Sequence, residues 1–321
     1  MSGRFVFAEA MDRLLYFLVL GMIKFLQAFP LRWVARIGRA GGAVAYLIDA
    51  RHRKVAQRNL AMCFGGELSP ERVRALAREN FRRLGENYSC AIKTAAMDWE
   101  QLKPFVEFTG VEQSMLGGPG RNPPSMVVAI GHFGNFELYA RYTQIMTDIR
   151  CATTYRGLRQ PSLNRLMQTM REKSGCIFFE RRTDAAALRA WMSPNGCMLG
   201  FLADQHAGTG GVRIPFFGHE CSATASPAVF ALRYNCPLRT AICYRVGMAK
   251  WRIELGEEIP TREDGKPRDV ATITCEVNRV FEAAVRRDPA NWFWVHNRWK
   301  PDKPKTPTPK AKAPSLDPTD K

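Results

Sequence analysis

Ser125-Met-Val-Val-Ala-Ile-Gly-His-Phe-Gly-Asn-Phe-Glu-Leu-Tyr139 decides how the chain is read. Its first part, Met126 to Ile130, is a continuous apolar run rich in Val, bounded by a Pro-rich loop and by Gly131. That is the pattern of a short strand buried on both faces. From Asn135 onward Glu137, Leu138, Tyr139, Ala140 and Arg141 favour a helix, so the order is strand, turn, helix. The N–H groups that open a helix have no partners within it and carry the positive end of its dipole. His132 and Glu137 fall in that turn and the first helical turn. A neutral imidazole takes a proton from a hydroxyl near pH 7, and a carboxylate on its other nitrogen fixes the tautomer and stabilises the imidazolium. Residues five apart on an ideal helix diverge by about 140°. The pair therefore meets only if His132 lies ahead of the helix, in a turn that Gly131 and Gly134 permit. The competing reading is a capping Asn135 with a histidine that merely lies nearby.

Working outward, strands and helices alternate. Arg150 to Tyr155, Cys176 to Phe179 and Cys197 to Ala203 read as strands, with helices over Pro161 to Lys173 and from Thr183-Asp184 through Trp191 between them. This predicts an α/β fold with a mixed, mainly parallel central sheet flanked by helices. Ligands bind such sheets at the carboxyl ends of strands, and His132, Arg156 and Asp204 each fall just past a predicted strand end. Upstream, Ser69-Pro70-Glu71 opens a helix with a cap, a first-position proline and an acid in the first turn. Phe105 to Phe108 is a strand ending at Gly110, and Gly117 to Pro124 a loop. Downstream, Gly208 to Gly218 starts as a glycine loop and ends in an apolar segment, and its spacing fits neither phosphate-loop nor dinucleotide fingerprints. Thr224 to Tyr234 is a helix, Leu238 to Val246 and Lys250 to Gly256 an antiparallel strand pair, and Val270 to Arg286 an amphipathic helix.

The chain has 321 residues, 46% of them hydrophobic, and a formal charge of +17. Such an excess faces something acidic: nucleic acid, an anionic membrane or an acidic protein. No nucleic-acid module is recognisable, so nucleic acid is the weakest of the three. The nine Cys are scattered without a Cys-x2-Cys pair, which argues for a reducing compartment and against a metal site. Phe5 to Leu31 is the most apolar long segment, and Arg32, Arg36, Arg39, Arg51, Arg53 and Lys54 follow it. We therefore expect a membrane-anchoring helical segment over 1–50, with the chain after it kept on the cytoplasmic face. A globular α/β domain follows over 51–300. The Pro- and Lys-rich stretch 301–321 reads as a disordered tail.

Taken together, the motifs resemble the bacterial lipid A biosynthesis acyltransferases of the lysophospholipid acyltransferase superfamily. The resemblance runs over 10–300. It rests on the N-terminal apolar helix, Arg53 to Phe64 with Asn59-Leu60, the Gly-His-Phe-Gly-Asn-Phe-Glu core, Tyr155-Arg156, Asp204-Gln205, the Pro-Phe-Phe-Gly218 segment and the closing Trp-Val-His-Asn-Arg-Trp-Lys300. It implies transfer of a fatty acyl group from acyl carrier protein to a hydroxyl of a membrane glycolipid at the inner membrane, without metal or bound cofactor. His132 is then the general base and Glu137 its orienting carboxylate, while Arg156, Asp204 and Gln205 contact substrate. Helix-start amides or Arg156 would stabilise the oxyanion. Acyl carrier protein and anionic lipid are both acidic, which gives the basic balance a use. Arg72, Arg74, Arg78, Arg82 and Arg83 are the expected docking residues. Arg213, where the family usually has an apolar residue, and the open Gly208 to Gly211 loop are departures on the expected acceptor side.

Other readings are an acyltransferase on a phosphoinositide mannoside or an aminolipid, a thioesterase, and a non-enzymatic basic membrane-surface protein. No Gly-x-Ser-x-Gly elbow is present, which counts against the usual hydrolase route. The non-enzymatic reading leaves His132, Glu137 and Asp204 without a role.

Overall fold

The run Met126–Ile130 is strand β2, buried at all five positions, in a computed structural model that describes residues 2–111, 123–146, 148–192 and 195–301. Its side chains alternate between two cores. Val127 and Ala129 join Leu60, Phe81, Leu199 and Phe281, while Met126, Val128 and Ile130 join Leu138, Tyr142, Met198 and Trp251. A period of two with both faces covered is why the run is apolar throughout.

Apart from a short antiparallel pairing of Arg262–Glu263 with Lys266–Pro267, the other strands are β1 (Val106–Thr109), β3 (Arg150–Tyr155), β4 (Ile177–Glu180), β5 (Cys197–Leu202), β6 (Val212–Phe216), β7 (His219–Ala223), β8 (Leu238–Gly247) and β9 (Lys250–Ile259). The helices are α1 (Ser2–Ala28), α2 (Leu31–Ile48), α3 (Ala50–Phe64), α4 (Pro70–Ala96), α5 (Trp99–Leu102), α6 (Pro161–Glu172), α7 (Ala185–Met192), α8 (Ser226–Tyr234) and α9 (Val270–Arg287). The sheet order is β1-β9-β8-β2-β5-β3-β4. Among the described residues five of its six neighbouring pairs run parallel, and β8–β9 runs antiparallel. The mixed, mainly parallel sheet is therefore as expected. Helices α6 and α7 are the crossovers from β3 to β4 and from β4 to β5. The expected loop over Gly117 to Pro124 lies largely, and the tail over 302–321 entirely, outside the described residues.

Two differences from the sequence reading have clear causes. The segment after β2 is not an α-helix but a tighter 3-10 run, Phe136–Gln144. Asn135 does not cap it, and its side-chain amide instead donates to Thr94 Oγ1 at 3.5 Å. Second, Gly208–Gly210 is a short turn tied down by Ser222, whose hydroxyl donates to the Gly208 carbonyl, rather than an open loop. The stretch after it forms the hairpin β6–β7, where Arg213 reaches across to Glu220 at 2.6 Å on an exposed face. No helix among the described residues is long and apolar enough to cross a membrane. Any 18-residue window of α1 ending at Ala28 or before already contains three or more charges, with Asp12, Arg13 and Lys24 in the last of them. The helix α2 packs on α4, burying Leu31, Val34, Ala35, Gly38, Gly42 and Tyr46.

That crossing is unusually close. A Cβ on Gly85 would lie 2.1 Å from the Gly38 carbonyl oxygen, and one on Gly42 would lie 2.1 Å from that of Phe81. Beside it Glu86, fully buried, accepts from Arg39 of α2, Arg245 of β8 and the Ala249 amide. Burying a carboxylate without such hydrogen-bonding partners would be costly. The outer faces of α1 and α2 remain apolar and exposed at Leu14, Phe17, Leu18, Met22, Phe25, Trp33, Leu47 and Ile48.

Candidate active site

β2 and β5 run side by side, with Ile130 opposite Leu202. Their ends therefore place His132 next to Asp204. Gly131 permits the approach, since a Cβ there would strike the Phe133 ring at 2.5 Å and crowd the Asp204 carboxyl carbon at 3.3 Å. Gly134 closes the turn in the left-handed region at φ +51°, and a Cβ there would lie 2.6 Å from the Cys243 carbonyl oxygen. Asp204 Oδ1 sits 2.7 Å from His132 Nδ1, and Oδ2 accepts the His132 backbone N–H and the Trp292 indole N–H, both at 2.8 Å. Arg298 donates to the Asp204 carbonyl. Asp204 is wholly buried. Burial pushes its carboxyl pKa up, but the His132 ring and N–H together with the Arg298 charge prevail and lower it to about 2. A carboxylate cannot donate, so the proton between the two rests on Nδ1 and the lone pair of His132 faces outward from Nε2.

The ring is held on both sides. Phe136 meets it edge-on at 4.8 Å and Phe293 stacks at 5.6 Å. Gln205, the residue after Asp204, has its amide nitrogen 3.3 Å from His132 Nε2. Trp292, Phe293 and Arg298 belong to the closing segment, which is strapped across the sheet ends by buried asparagines. Asn80 of α4 donates to the carbonyls of Ala290 and Trp292, Asn59 of α3 to those of Trp294 and His296, and Asn291 to that of Cys243. Further along the strap, His296 Nε2 accepts the His206 N–H at 3.1 Å. Burial lowers the His296 pKa to about 4, although the Asp204 charge opposes it, so the ring is neutral near pH 7.

The carboxylate that meets the imidazole is thus Asp204 and not Glu137. In the 3-10 run Glu137 points toward α6, where both its oxygens accept from Arg171, Oε1 at 2.6 Å and Oε2 at 3.0 Å. The turn directs His132 and Glu137 apart despite their spacing, and the partner of the imidazole lies 72 positions further along the chain. Asp204, expected to touch substrate, has no exposed surface to do so. Arg156 lies exposed just past β3, as expected. Of the arginines expected to dock a donor, Arg72, Arg74, Arg78 and Arg82 are exposed on α4, whereas Arg83 is half-buried and engaged by Glu79 and Asp288. Nothing in the sequence reading singled out Arg171, Trp292 or Arg298 individually, although the closing segment as a whole was marked.

Two cavities meet at His132. One, of about 240 Å³, is mostly apolar and runs between α4, the 3-10 run and α6, with Leu84, Tyr88, Ile92, Leu138, Met167 and Met170 among its walls. Arg141, itself buried, holds this wall by donating to the carbonyls of Thr94 and Met97 at the end of α4 and of Lys173 after α6. The other, of about 830 Å³, opens over the ends of β3, β4 and β5; its floor is largely apolar, with Ile130, Tyr139 and Met198, and Arg156, Arg181, Arg189, Gln205 and Lys300 line it together with Glu180 and Asp184. Glu137, Arg171 and Phe136 line both. The arrangement offers a base with a directed lone pair, an apolar channel on one side and a cationic bowl on the other.

The family model described as bacterial lipid A biosynthesis acyltransferase matches residues 7–301. A lipid A biosynthesis palmitoleoyltransferase of Escherichia coli (strain K12) is 24% identical over 290 residues, covering 88% of this chain and 89% of its own. A lipid A biosynthesis lauroyltransferase of the same organism is 24% identical over 294 residues, covering 89% and 91%.

Proposed function

The chain belongs to the bacterial lipid A biosynthesis acyltransferase family and is an acyltransferase, and we propose that it moves a fatty acyl group from an acyl carrier protein thioester to a hydroxyl of a lipid A precursor. His132 Nε2 takes the hydroxyl proton while the oxygen attacks the thioester carbonyl. The carbon–sulfur bond then breaks, and the proton passes from His132 to the departing thiolate. Asp204 holds the imidazole in the competent tautomer and balances its charge during the step. The first amides of the Phe136–Gln144 run have no partner within it and are the proposed donors to the oxyanion. Glu137 and Arg171 separate the acyl channel from the acceptor bowl.

The observation that carries this reading is that both cavities share His132. An apolar channel suits an acyl chain, and a bowl lined by Arg156, Arg181 and Lys300 suits an anionic glycolipid headgroup. The exposed apolar faces of α1 and α2, with Arg32, Arg36, Arg51 and Lys54 exposed beside them, support a protein that lies in the cytoplasmic interface of the inner membrane instead of spanning it. The exposed arginines of α4 suit an acidic carrier protein. The test is lipid mass spectrometry of cells carrying the wild-type gene or His132→Ala as their only copy. The reading requires one added acyl chain on a lipid A species with the wild type and none with the variant. An unchanged lipid A profile, with the difference in another lipid, would move the acceptor elsewhere.

A further inference from the structure

We propose that Gln205 caps the base of His132 in the resting enzyme and reserves it for the acceptor hydroxyl, so that this side chain sets the preference for transfer over hydrolysis. The inference rests on the acyl-transfer reading above and adds a selectivity device to the same site.

Two consecutive residues hold the two ring nitrogens: Asp204 takes Nδ1 and Gln205 takes Nε2. With the proton on Nδ1, Nε2 offers only a lone pair, so the amide of Gln205 must present its NH2 there. Gln205 cannot drift away as a whole, because its neighbour is anchored by His132, Trp292 and Arg298 and Ala203 N donates to the Ile130 carbonyl. Phe136 and Phe293 cover the ring faces, and only 14% of the His132 side chain is exposed. His132 and Gln205 both line the larger cavity, where Gln205 stands at Nε2.

A water that reached Nε2 would be the nucleophile for a wasteful reaction. Its oxygen would attack the thioester carbonyl, its proton would pass through His132 to the thiolate, and the free fatty acid would leave. The cap is weak, since 3.3 Å is long for a hydrogen bond. An acceptor anchored by its headgroup displaces it at small cost, because its hydroxyl is presented at high effective concentration. Water has no such anchor and meets the full barrier.

The test uses the full-length protein in detergent with lauroyl–acyl carrier protein as donor. Two rates are measured for wild type, Gln205→Met and Gln205→Glu: thiol release without acceptor, and carbethoxylation of His132 by diethylpyrocarbonate, followed on its peptide by mass spectrometry. Met fills the space without an N–H, so both rates should rise about five- to tenfold, the worth of one modest hydrogen bond. The ratio of hydrolysis to transfer should rise with them. Glu accepts instead of donating and holds a proton on Nε2, so both rates should fall. Equal carbethoxylation of wild type and Gln205→Met overturns the cap. So does reduced transfer with an unchanged hydrolysis ratio, which would make Gln205 only an acceptor contact. Raised hydrolysis that persists in Gln205→Met with His132→Ala overturns it as well. Because carbethoxylation needs no substrate, it decides the cap even if the wild type acylates nothing offered, an outcome that would sink the acyl-transfer reading alone.

Discussion

Replacing Asp204 by Asn should cost far more activity than stability, and the hydrogen bonds explain why. Asp204 receives three N–H groups: the His132 backbone amide, the Trp292 indole and the His132 ring. The first two can only donate. In Asp204→Asn the single amide oxygen must therefore stay at the Oδ2 position, where both fixed donors point. The NH2 group is then left facing His132 Nδ1. The imidazole alone can adapt, by moving its proton to Nε2, and a protonated Nε2 is no base. Where an amide has replaced the carboxylate behind a catalytic imidazole, the loss is about 10⁴-fold in kcat, or roughly 5 kcal/mol of barrier. The folded state loses one charge-assisted hydrogen bond, about 1–3 kcal/mol. Steady-state acyl transfer and a thermal melt on the same preparation measure the two. A folded Asp204→Asn protein with kcat within tenfold of wild type would refute the assignment of Asp204 as the orienting group.

Four further outcomes are expected. Glu137→Gln should lower kcat/KM by about tenfold, mostly through KM, because it weakens the Arg171 pair without touching the imidazole; a kcat loss matching that of Asp204→Asn would return Glu137 to the dyad. His296 has a pKa of about 4 in the folded protein against about 6.5 unfolded, so below pH 6.5 the unfolded chain takes up a proton the native one does not. Its contribution is complete above about pH 6.5 and is lost as pH falls toward 4, and subtracting the urea midpoints of His296→Gln from those of wild type across that window should show it. Gly85→Ala should destabilise by about 2 kcal/mol or more, since its Cβ meets backbone 2.1 Å away, and the melting temperature should drop by at least about 4 °C. Leu47→Glu with Ile48→Glu, at side chains 70% and 77% exposed, should weaken flotation with anionic vesicles while leaving the melt unchanged; undiminished flotation would remove α2 from the membrane surface.

Local chemistry was readable wherever short-range physics decides. Ser69 caps α4, accepting the Arg72 N–H, and the Val-rich run is a strand because both its faces are covered. Strand ends told where Arg156 and Asp204 would lie. What escaped the reading depends on contacts far apart in the chain. The tight winding of Phe136–Gln144 turns Glu137 toward Arg171 of α6. Insertion of β8 and β9 between β1 and β2 has no local signal, and neither does the indole of Trp292 arriving at a carboxylate 88 residues earlier. The hairpin β6–β7 was hidden because Phe217 and Gly218 both take positive φ, and a Phe there does not announce a turn.

The strap over 289–299 also has a consequence for when the enzyme comes alive. A ribosome delivers His132 and the strands around it well before Trp292, Phe293 and Arg298. Until those late residues arrive, Asp204 lacks its indole and guanidinium partners and the imidazole lacks one of its flanking rings. The base is therefore complete only once the strap is in place, and because Trp292 and Trp294 are also fully buried in the main core, a chain without them would lose packing along with chemistry.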